Sequence, residues 1–246
     1  DFDEIHGDRR FGDDHAIIVG MARYDDRPVL VVGHQKGRGD MKQKIHRNFG
    51  YAKPEGYRKA IRAMKIAEKF GRPVIVFVDT PAAYPGIESE ERGVAEAIAY
   101  NLREMAVLMV PVVILVTGEG GSGGALGIAI GDRVLIQEYA IYSVIPPEGC
   151  AAILWRDSGR KVEATEALKI TAPDMLRLGV VDEIIPEPPG GAQNDPDSAA
   201  ALVDRALRRT LDQVARGTPE ERVAARYDKF RAMGDIGIVE SPAPGR

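Results

Sequence analysis

The chain has 246 residues, 44% of them hydrophobic and 28% charged, which is enough to bury a full core in one domain. A net charge of −4 argues against nucleic acid as the main partner. The single cysteine, Cys150, excludes an internal disulfide and a zinc site built from cysteines of this chain. The apolar runs are too short to cross a bilayer, so we expect a cytoplasmic protein without a membrane partner.

The first part of the chain predicts antiparallel strands. Residues 16–24 and 27–35 are strand-like, and the two aspartates between them fit a hairpin turn. The stretch before them, residues 1–14, is polar and acidic. The basic residues 36–47 that follow contain two loosening glycines and fit either a solvated loop or a contact for a phosphorylated ligand.

The middle of the chain alternates helices and buried strands. We predict a helix over residues 54–70, a strand over 74–78 and a strand over 112–116. Between the two strands we predict a helix that Ser89 caps and whose buried stripe ends at Leu108. This order predicts a parallel, wound α/β layer.

The last part of the chain predicts three short strands and several helices, all within a single domain over residues 1–246. The strands are expected over residues 133–137, 140–145 and 180–185. Helices are expected within residues 150–169 and from Thr171 to Gly179. Residues 186–246 are predicted to be a connector followed by helices over 199–215 and 218–233, the second opened by a capping box at Thr218.

A glycine-rich segment, Gly118 to Leu126, follows the strand over residues 112–116. Glycines lose more backbone entropy on folding than other residues do. Their number here therefore indicates that another group approaches the backbone closely or that a residue adopts an unusual dihedral angle. We predict a turn and then a short helix over residues 125–130, capped by Ser122. Because free N–H groups at a helix start attract an anion or a developing oxyanion, we predict that this segment holds a negatively charged oxygen.

One interpretation of the segment is a dinucleotide site. Gly118, Gly120 and Gly123 fit the G-x-G-x-x-G spacing, and Glu138 follows at about the expected twenty residues. Against it, the predicted helix is short for a crossover, and two strand–helix units precede a motif that commonly opens its domain.

The other interpretation is an oxyanion hole without a protein nucleophile. We expect no G-x-S-x-G nucleophile elbow, and because the four histidines all lie in the first fifth of the chain, Ser122 has no evident histidine partner. The candidate acids Asp79 and Glu119 have no obvious carboxylate partner. Chemistry that needs only backbone donors fits these residues.

Nine motifs together resemble the carboxyltransferase alpha subunit of bacterial-type, multisubunit acetyl-CoA carboxylase, over nearly the whole chain. They occur in one order: Gly33 to Arg38, Asn48 to Gly50, Pro54 to Ala60, Asp79 to Pro81, Ala83 to Gly86, Glu90 to Gly93, Gly118 to Leu126, Pro147 to Ala151 and Ile185 to Pro188. The resemblance implies the crotonase-type (ClpP/crotonase) fold, a spiral of stacked β-β-α units with C-terminal helices. It also implies a transferase that moves a carboxyl group from carboxybiotin to acetyl-CoA and forms malonyl-CoA, the first committed step of fatty acid synthesis.

The resemblance also implies roles for particular residues. Backbone N–H groups of Gly120 and Gly121 would stabilise negative charge on the biotin ureido oxygen, and biotin N1′ would take the methyl proton, so no protein base is required. Further substrate-binding positions are Gly123 and Gly124, which allow a close approach, the turn residues Ala82, Ala83 and Tyr84, and the basic residues Lys36 and Arg38 near CoA phosphates.

The implied partners are a zinc-containing beta subunit, a biotin carboxyl carrier protein, biotin carboxylase and acetyl-CoA or malonyl-CoA. The implied cofactor is biotin on the carrier, with no metal in this chain. Two rival interpretations are a crotonase-type acyl-CoA enzyme that acts without a partner and a scaffold subunit that has lost chemistry.

The chain departs from the family pattern at two points. Family members usually have glycine where this chain has Ala82, so a positive φ at that position would strain the backbone. The family also has an N-terminal helical segment before the point at which this chain begins. Because the first residue is Asp1, we expect a trimmed chain or a piece of a longer one.

Overall fold

The computed structural model describes residues 1–234, and within them the chain forms one mixed sheet of eight strands. The strands are β1 (Phe2–Glu4), β2 (Ile17–Tyr24), β3 (Arg27–His34), β4 (Val74–Thr80), β5 (Val112–Gly121), β6 (Arg133–Gln137), β7 (Ile141–Ser143) and β8 (Glu183–Ile185). They lie in the order β1-β2-β3-β4-β5-β6-β8, and β7 pairs with β5.

The sheet changes from antiparallel to parallel at β3. Strands β1, β2 and β3 pair antiparallel, and β3, β4, β5, β6 and β8 pair parallel. Asp25 and Asp26 both have positive φ, 52° and 61°, as a two-residue hairpin turn that matches the strand twist requires. The predicted hairpin and parallel layer are confirmed, whereas β1 lies in a polar stretch for which no strand was predicted.

Ten helices complete the described part of the chain. They are α1 (Met41–His46), α2 (Pro54–Lys69), α3 (Ile87–Glu91), α4 (Val94–Ala106), α5 (Ser122–Leu126), α6 (Pro147–Trp155), α7 (Lys161–Leu168), α8 (Ala172–Arg177), α9 (Pro196–Val214) and α10 (Pro219–Arg231). The predicted C-terminal helices are therefore present, and the capping box at Thr218 is formed. The predicted single domain extends over residues 235–246, which lie outside the described part.

Two apolar layers cover the sheet because alternate strand residues point to opposite faces. One face packs against α2 and α4, with Leu30, Val32, Val76 and Ile114 among its buried strand residues. The other face packs against Leu207 and Leu211 of α9, with Val29, Ile75, Val113 and Leu115 among its buried residues. This sandwich fixes the carboxyl ends of β4 and β5 side by side.

Three local predictions were wrong. The stretch 36–47 is not all loop, because Asp40 caps α1 by accepting a hydrogen bond from the Gln43 N–H. Ser89 is buried inside α3, and Gly93 is the N-cap residue of α4. The helix predicted for residues 125–130 begins earlier, at Ser122, which therefore does not cap it.

One buried arginine fastens α10 to the rest of the fold. The Arg226 side chain is fully buried and forms an ion pair with Asp132, 2.8 Å from Nη2 to Oδ1. Its guanidinium also donates to the carbonyl oxygens of Met105, Leu108 and Val110, at 2.7, 2.9 and 3.3 Å. The chain segment after α4 is thereby tied to the C-terminal helix.

Candidate active site

The glycine segment is the extended end of β5. The strand runs to Gly121, five residues beyond the predicted strand, so the predicted turn is wrong. Residues 113–116 of β5 pair with β6, and residues 119–121 pair with β7 instead. The sheet therefore divides beside the glycines, which opens a site at the carboxyl end of β5.

The glycines are needed because other parts of the backbone lie against them. A Cβ on Gly121 would overlap the carbonyl oxygen of Pro81, and one on Gly124 would overlap the peptide between Ala82 and Ala83. Gly123 is different, because a Cβ there would meet only the Ile98 side chain at an ordinary 3.6 Å. The close approach expected from the glycines is therefore made to the chain after β4.

The segment after β4 is held by hydrogen bonds to the chain before α2. The Thr80 hydroxyl donates to the carbonyl oxygens of Gly50 and Ala82, at 2.7 and 2.9 Å. The Tyr84 N–H donates to the Ala52 carbonyl oxygen at 2.9 Å. Ala82 is not among the residues with positive φ, so the backbone strain expected from the missing glycine does not arise.

A cavity of about 220 Å³ lies beside the end of β5. Its wall includes the residues Pro81, Glu119, Gly120, Gly121, Ser122, Ser143, Ile141, Ile145, Pro146, Pro147, Glu148 and Ile170. A second, more apolar cavity of about 300 Å³ is lined by Ser122, Gly123, Leu126 and Tyr142. Ser122 borders both cavities.

Ser122 is the residue of this site that sequence reasoning assigned wrongly. It stands between β5 and α5 with a φ of 50°, a conformation that is uncommon for a residue with a side chain. The surrounding Gly120 to Gly124 has the spacing G-x-S-x-G, which was the available signal for such a strand-to-helix turn. No hydrogen bond joins Ser122 to a histidine in residues 1–234.

The two basic candidates lie in different surroundings. The Lys36 ammonium is 2.8 Å from Asp79 Oδ1 and 2.7 Å from Glu119 Oε2. Arg38 is exposed to solvent. Sequence reasoning left Asp79 and Glu119 without a partner, and the structure brings both carboxylates to one lysine.

His34 lies at the end of β3, and neither of its ring nitrogens has a hydrogen-bond partner within residues 1–234. Burial lowers the pKa of His34 to about 3, against an ordinary value of 6.5, so the ring is neutral in the folded chain. A neutral, buried imidazole without a hydrogen-bond partner lowers the free energy of unfolding. The loss becomes larger at low pH, where the unfolded chain binds a proton at this residue and the folded chain does not.

We expect the free energy of unfolding to fall by about 2 kcal/mol between pH 6.5 and pH 5 through His34. Below pH 6.5 the unfolded chain binds a proton at this residue and the folded chain does not, so acid favours unfolding. His34→Phe should remove this contribution in urea titrations, whereas His46→Phe, which changes only an exposed ring stacked on His15, should keep it. An unchanged slope in His34→Phe would contradict the assignment.

The topology does not support the dinucleotide interpretation. The parallel strands follow one another in a single direction, β3-β4-β5-β6-β8, without the reversal of order that forms a dinucleotide crevice. The Glu138 carboxylate accepts a hydrogen bond from the Glu187 N–H at 3.1 Å, which gives it a role in joining β6 to the chain after β8.

Two further findings concern residues 1–234. They contain no helix long and apolar enough to cross a membrane. The same residues contain no group of three or more His, Cys, Asp or Glu side chains placed to hold a metal ion.

The fold matches solved structures of a transcarboxylase and of a malonate decarboxylase. Transcarboxylase 12S with hydrolysed methylmalonyl-coenzyme A bound is 21% identical, with a TM-score of 0.70 over 87% of this chain and 39% of that chain. A Pseudomonas malonate decarboxylase hetero-tetramer in complex with coenzyme A is 16% identical, with a TM-score of 0.71 over 91% of this chain and 89% of that one. The expected crotonase-type fold is confirmed.

The chain belongs to the family described as acetyl co-enzyme A carboxylase carboxyltransferase-like, whose model matches residues 1–234. The acetyl-coenzyme A carboxylase carboxyl transferase subunit alpha of Geobacter metallireducens is 61% identical over 95% of this chain and 73% of its own length. The protein of the same description from Geobacillus kaustophilus is 56% identical over 97% of this chain and 73% of its own. The predicted family and the predicted function as a carboxyltransferase alpha subunit are confirmed.

Proposed function

We propose that this chain and a beta subunit together form a site that transfers the carboxyl group of carboxybiotin to acetyl-CoA and gives malonyl-CoA. The observation that carries the proposal is the end of β5, where glycine backbone lines a cavity. Such a wall presents polar backbone groups to a ligand, and no hydrogen bond within residues 1–234 joins Ser122 to a histidine that would activate it as a nucleophile. The relatives are alpha subunits by name, which supports a second subunit at the site.

The residues around the cavity fit the ring system of biotin. Its volume of about 220 Å³ exceeds the roughly 150 Å³ of a cavity that admits benzene. Ile141 and Ile145 provide apolar walls, and the backbone of Gly120 and Gly121 provides a polar edge. This combination suits a fused ring that carries one strongly polar carbonyl group.

Carboxybiotin, when bound, supplies the carboxyl group. The family resemblance assigns the stabilisation of an oxygen that gains negative charge to the N–H groups of Gly120 and Gly121, two residues that pair with β4 and β7 in this chain. Each such donor is typically worth about 3 kcal/mol in the barrier. Gly124 allows α5 to lie against Ala82 and Ala83, and this contact keeps the turn that leads to Tyr84 at the edge of the site.

The CoA end of the substrate is assigned to the surface that carries Arg38. A guanidinium binds phosphate oxygens in a two-pronged manner, and Arg38 is exposed on the loop that follows β3. Lys36, the other predicted phosphate contact, already lies between two carboxylates. We therefore place the phosphate contact on Arg38.

The remaining parts of the proposal rest on the family. They are biotin on a separate carrier protein, a biotin carboxylase that loads it, a beta subunit that carries the zinc, and a cytoplasmic location. The family match over residues 1–234 supports them. The rival interpretation, an acyl-CoA enzyme that works without a partner subunit, predicts activity from this chain alone.

The proposal predicts that acetyl-CoA formation from malonyl-CoA depends on a biotin analogue. The assay would contain this chain, a carboxyltransferase beta subunit and malonyl-CoA, with and without the analogue. We expect product only in the sample with the analogue, because the carboxyl group needs an acceptor. Equal rates in both samples would indicate a decarboxylase, the activity in the name of one structural relative, and would contradict the proposal.

A further inference from the structure

Three neighbouring strands are joined by one lysine at the edge of the candidate site. Lys36 follows β3, Asp79 stands near the end of β4, and Glu119 lies within the glycine part of β5. The Lys36 Nζ atom is 2.8 Å from Asp79 Oδ1 and 2.7 Å from Glu119 Oε2. These three side chains, which we call the lysine clamp, are between 31% and 47% exposed.

The clamp also contacts the backbone of the glycine segment directly. Asp79 Oδ1 accepts a second hydrogen bond, from the backbone N–H of Glu119, at 3.0 Å. A Cβ on Gly118 would overlap this same carboxylate oxygen, so Asp79 lies directly against the chain at Gly118. Asp79 therefore adds a side-chain hydrogen bond to the strand pairing just before Gly120, and Lys36 holds the Asp79 carboxylate in place.

The charges in the clamp depend on the lysine. Burial alone would lower the pKa of Lys36, but hydrogen bonds to Asp79 and Glu119 outweigh it and raise the pKa, so the ammonium keeps its charge. Without that charge, two carboxylates within 2.8 Å of one point would repel each other. This repulsion acts on Glu119, whose backbone N–H also donates to Asp79 and whose next residue is Gly120.

We propose that Lys36 is a positioning residue for carboxyl transfer: by pairing with Asp79 and Glu119 it holds the β5 backbone, and with it the glycine wall of the cavity, in the position that the reaction needs. This proposal rests on the proposed function. Of the three clamp residues only Glu119 lines the cavity beside Gly121, so Lys36 acts through the backbone and not by contact with the substrate.

The test measures kcat and KM separately in the complex with a beta subunit. In the reverse reaction with malonyl-CoA and a biotin analogue, Lys36→Met should lower kcat about ten- to a hundredfold, because small misplacements of catalytic groups cost that much. The KM for malonyl-CoA should stay within about twofold. A raised KM with unchanged kcat would overturn the proposal, because it would show that Lys36 binds CoA phosphates.

Two matched variants distinguish a positioning role of Lys36 from a general effect of losing an ion pair. Lys36→Arg should restore most of kcat, since a guanidinium can bond both carboxylates. Lys65→Met removes another lysine that lies between two carboxylates, Glu68 and Glu104, at similar exposure on α2, and it should leave kcat unchanged. An equal loss in Lys65→Met would overturn the proposal.

A second measurement does not depend on the activity. Amide hydrogen exchange of residues 118–121 should become faster in Lys36→Met and return towards the original rate in Lys36→Arg. Unchanged protection in Lys36→Met would overturn the clamp even if activity fell. If the unmodified complex shows no transfer that depends on the biotin analogue, the proposed function fails, whereas the exchange result still decides whether Lys36 positions the segment.

Discussion

Arg226→Met should lower the free energy of unfolding by about 3–5 kcal/mol, the usual cost when one partner of a buried ion pair is removed. The Arg226 side chain has no solvent exposure, and its partner Asp132 is 7% exposed. Methionine fills a similar volume but leaves the Asp132 carboxylate without its charge partner. It also leaves the carbonyl oxygens of Met105, Leu108 and Val110 without their donor.

The matched control is Arg231→Met, which changes an exposed arginine at the end of the same helix. We expect this control to alter the free energy of unfolding by less than about 0.5 kcal/mol. Urea denaturation of both variants at pH 7 measures the difference. A loss below about 1 kcal/mol in Arg226→Met would show that α10 is not fastened in the way the structure indicates.

Gly124→Ala should reduce carboxyl transfer about a hundredfold or more while the chain stays folded. The added Cβ would meet backbone atoms of Ala82 and Ala83, with the Ala82 Cα at 2.9 Å. Backbone atoms cannot rotate away as a side chain can, so either α5 or the turn after β4 must shift. A shift of about 1 Å at a catalytic site can cost a hundredfold in rate.

The control for this substitution is Gly12→Ala, because no atom lies within 4 Å of the Cβ position at Gly12 and its φ is not positive. The reverse reaction with a beta subunit gives the rate, and circular dichroism confirms the fold of both variants. A kcat in Gly124→Ala equal to that of the unmodified chain would contradict the close packing between α5 and the turn.

A different substitution, Gly121→Val, does not by itself test the oxyanion hole. Its side chain would overlap the Pro81 carbonyl oxygen, so it must displace the turn after β4. A loss of activity would therefore report the displaced turn together with any loss of N–H donation.

Regular patterns predicted much of the fold. Continuous apolar runs identified β4 and the first half of β5, and helical spacing identified α2 and α9. Local turn chemistry also sufficed where no distant contact competed: the capping box at Thr218 formed as predicted. These signals act within a few residues, so a single sequence displays them.

Signals that depend on distant contacts were not predictable in the same way. Glycines usually end a strand, yet β5 continues through Gly118 to Gly121 because β7 arrives to pair with it. Ser89 is a good capping residue by type, but its position inside α3 leaves that role to Gly93. Sequence reasoning placed Lys36 on a basic stretch near CoA phosphates. Only the folded structure shows that Asp79 and Glu119 lie against its ammonium group.

The candidate site was predictable in location but not in detail. The family resemblance assigned both the glycine segment and the turn residues Ala82, Ala83 and Tyr84 to the site, and in the structure they lie at the carboxyl ends of the neighbouring strands β5 and β4. The motifs identified the family, which the comparison over residues 1–234 confirms. The strained Ser122 and the lysine clamp required coordinates, because both arise where separate segments meet.

The most direct measurement is the reverse reaction, malonyl-CoA plus a biotin analogue giving acetyl-CoA. It is run with this chain alone and then with a carboxyltransferase beta subunit. We predict product only in the mixture, because the alpha-subunit family implies a site that two chains complete. Full activity from this chain alone would contradict the account and establish a self-sufficient acyl-CoA enzyme.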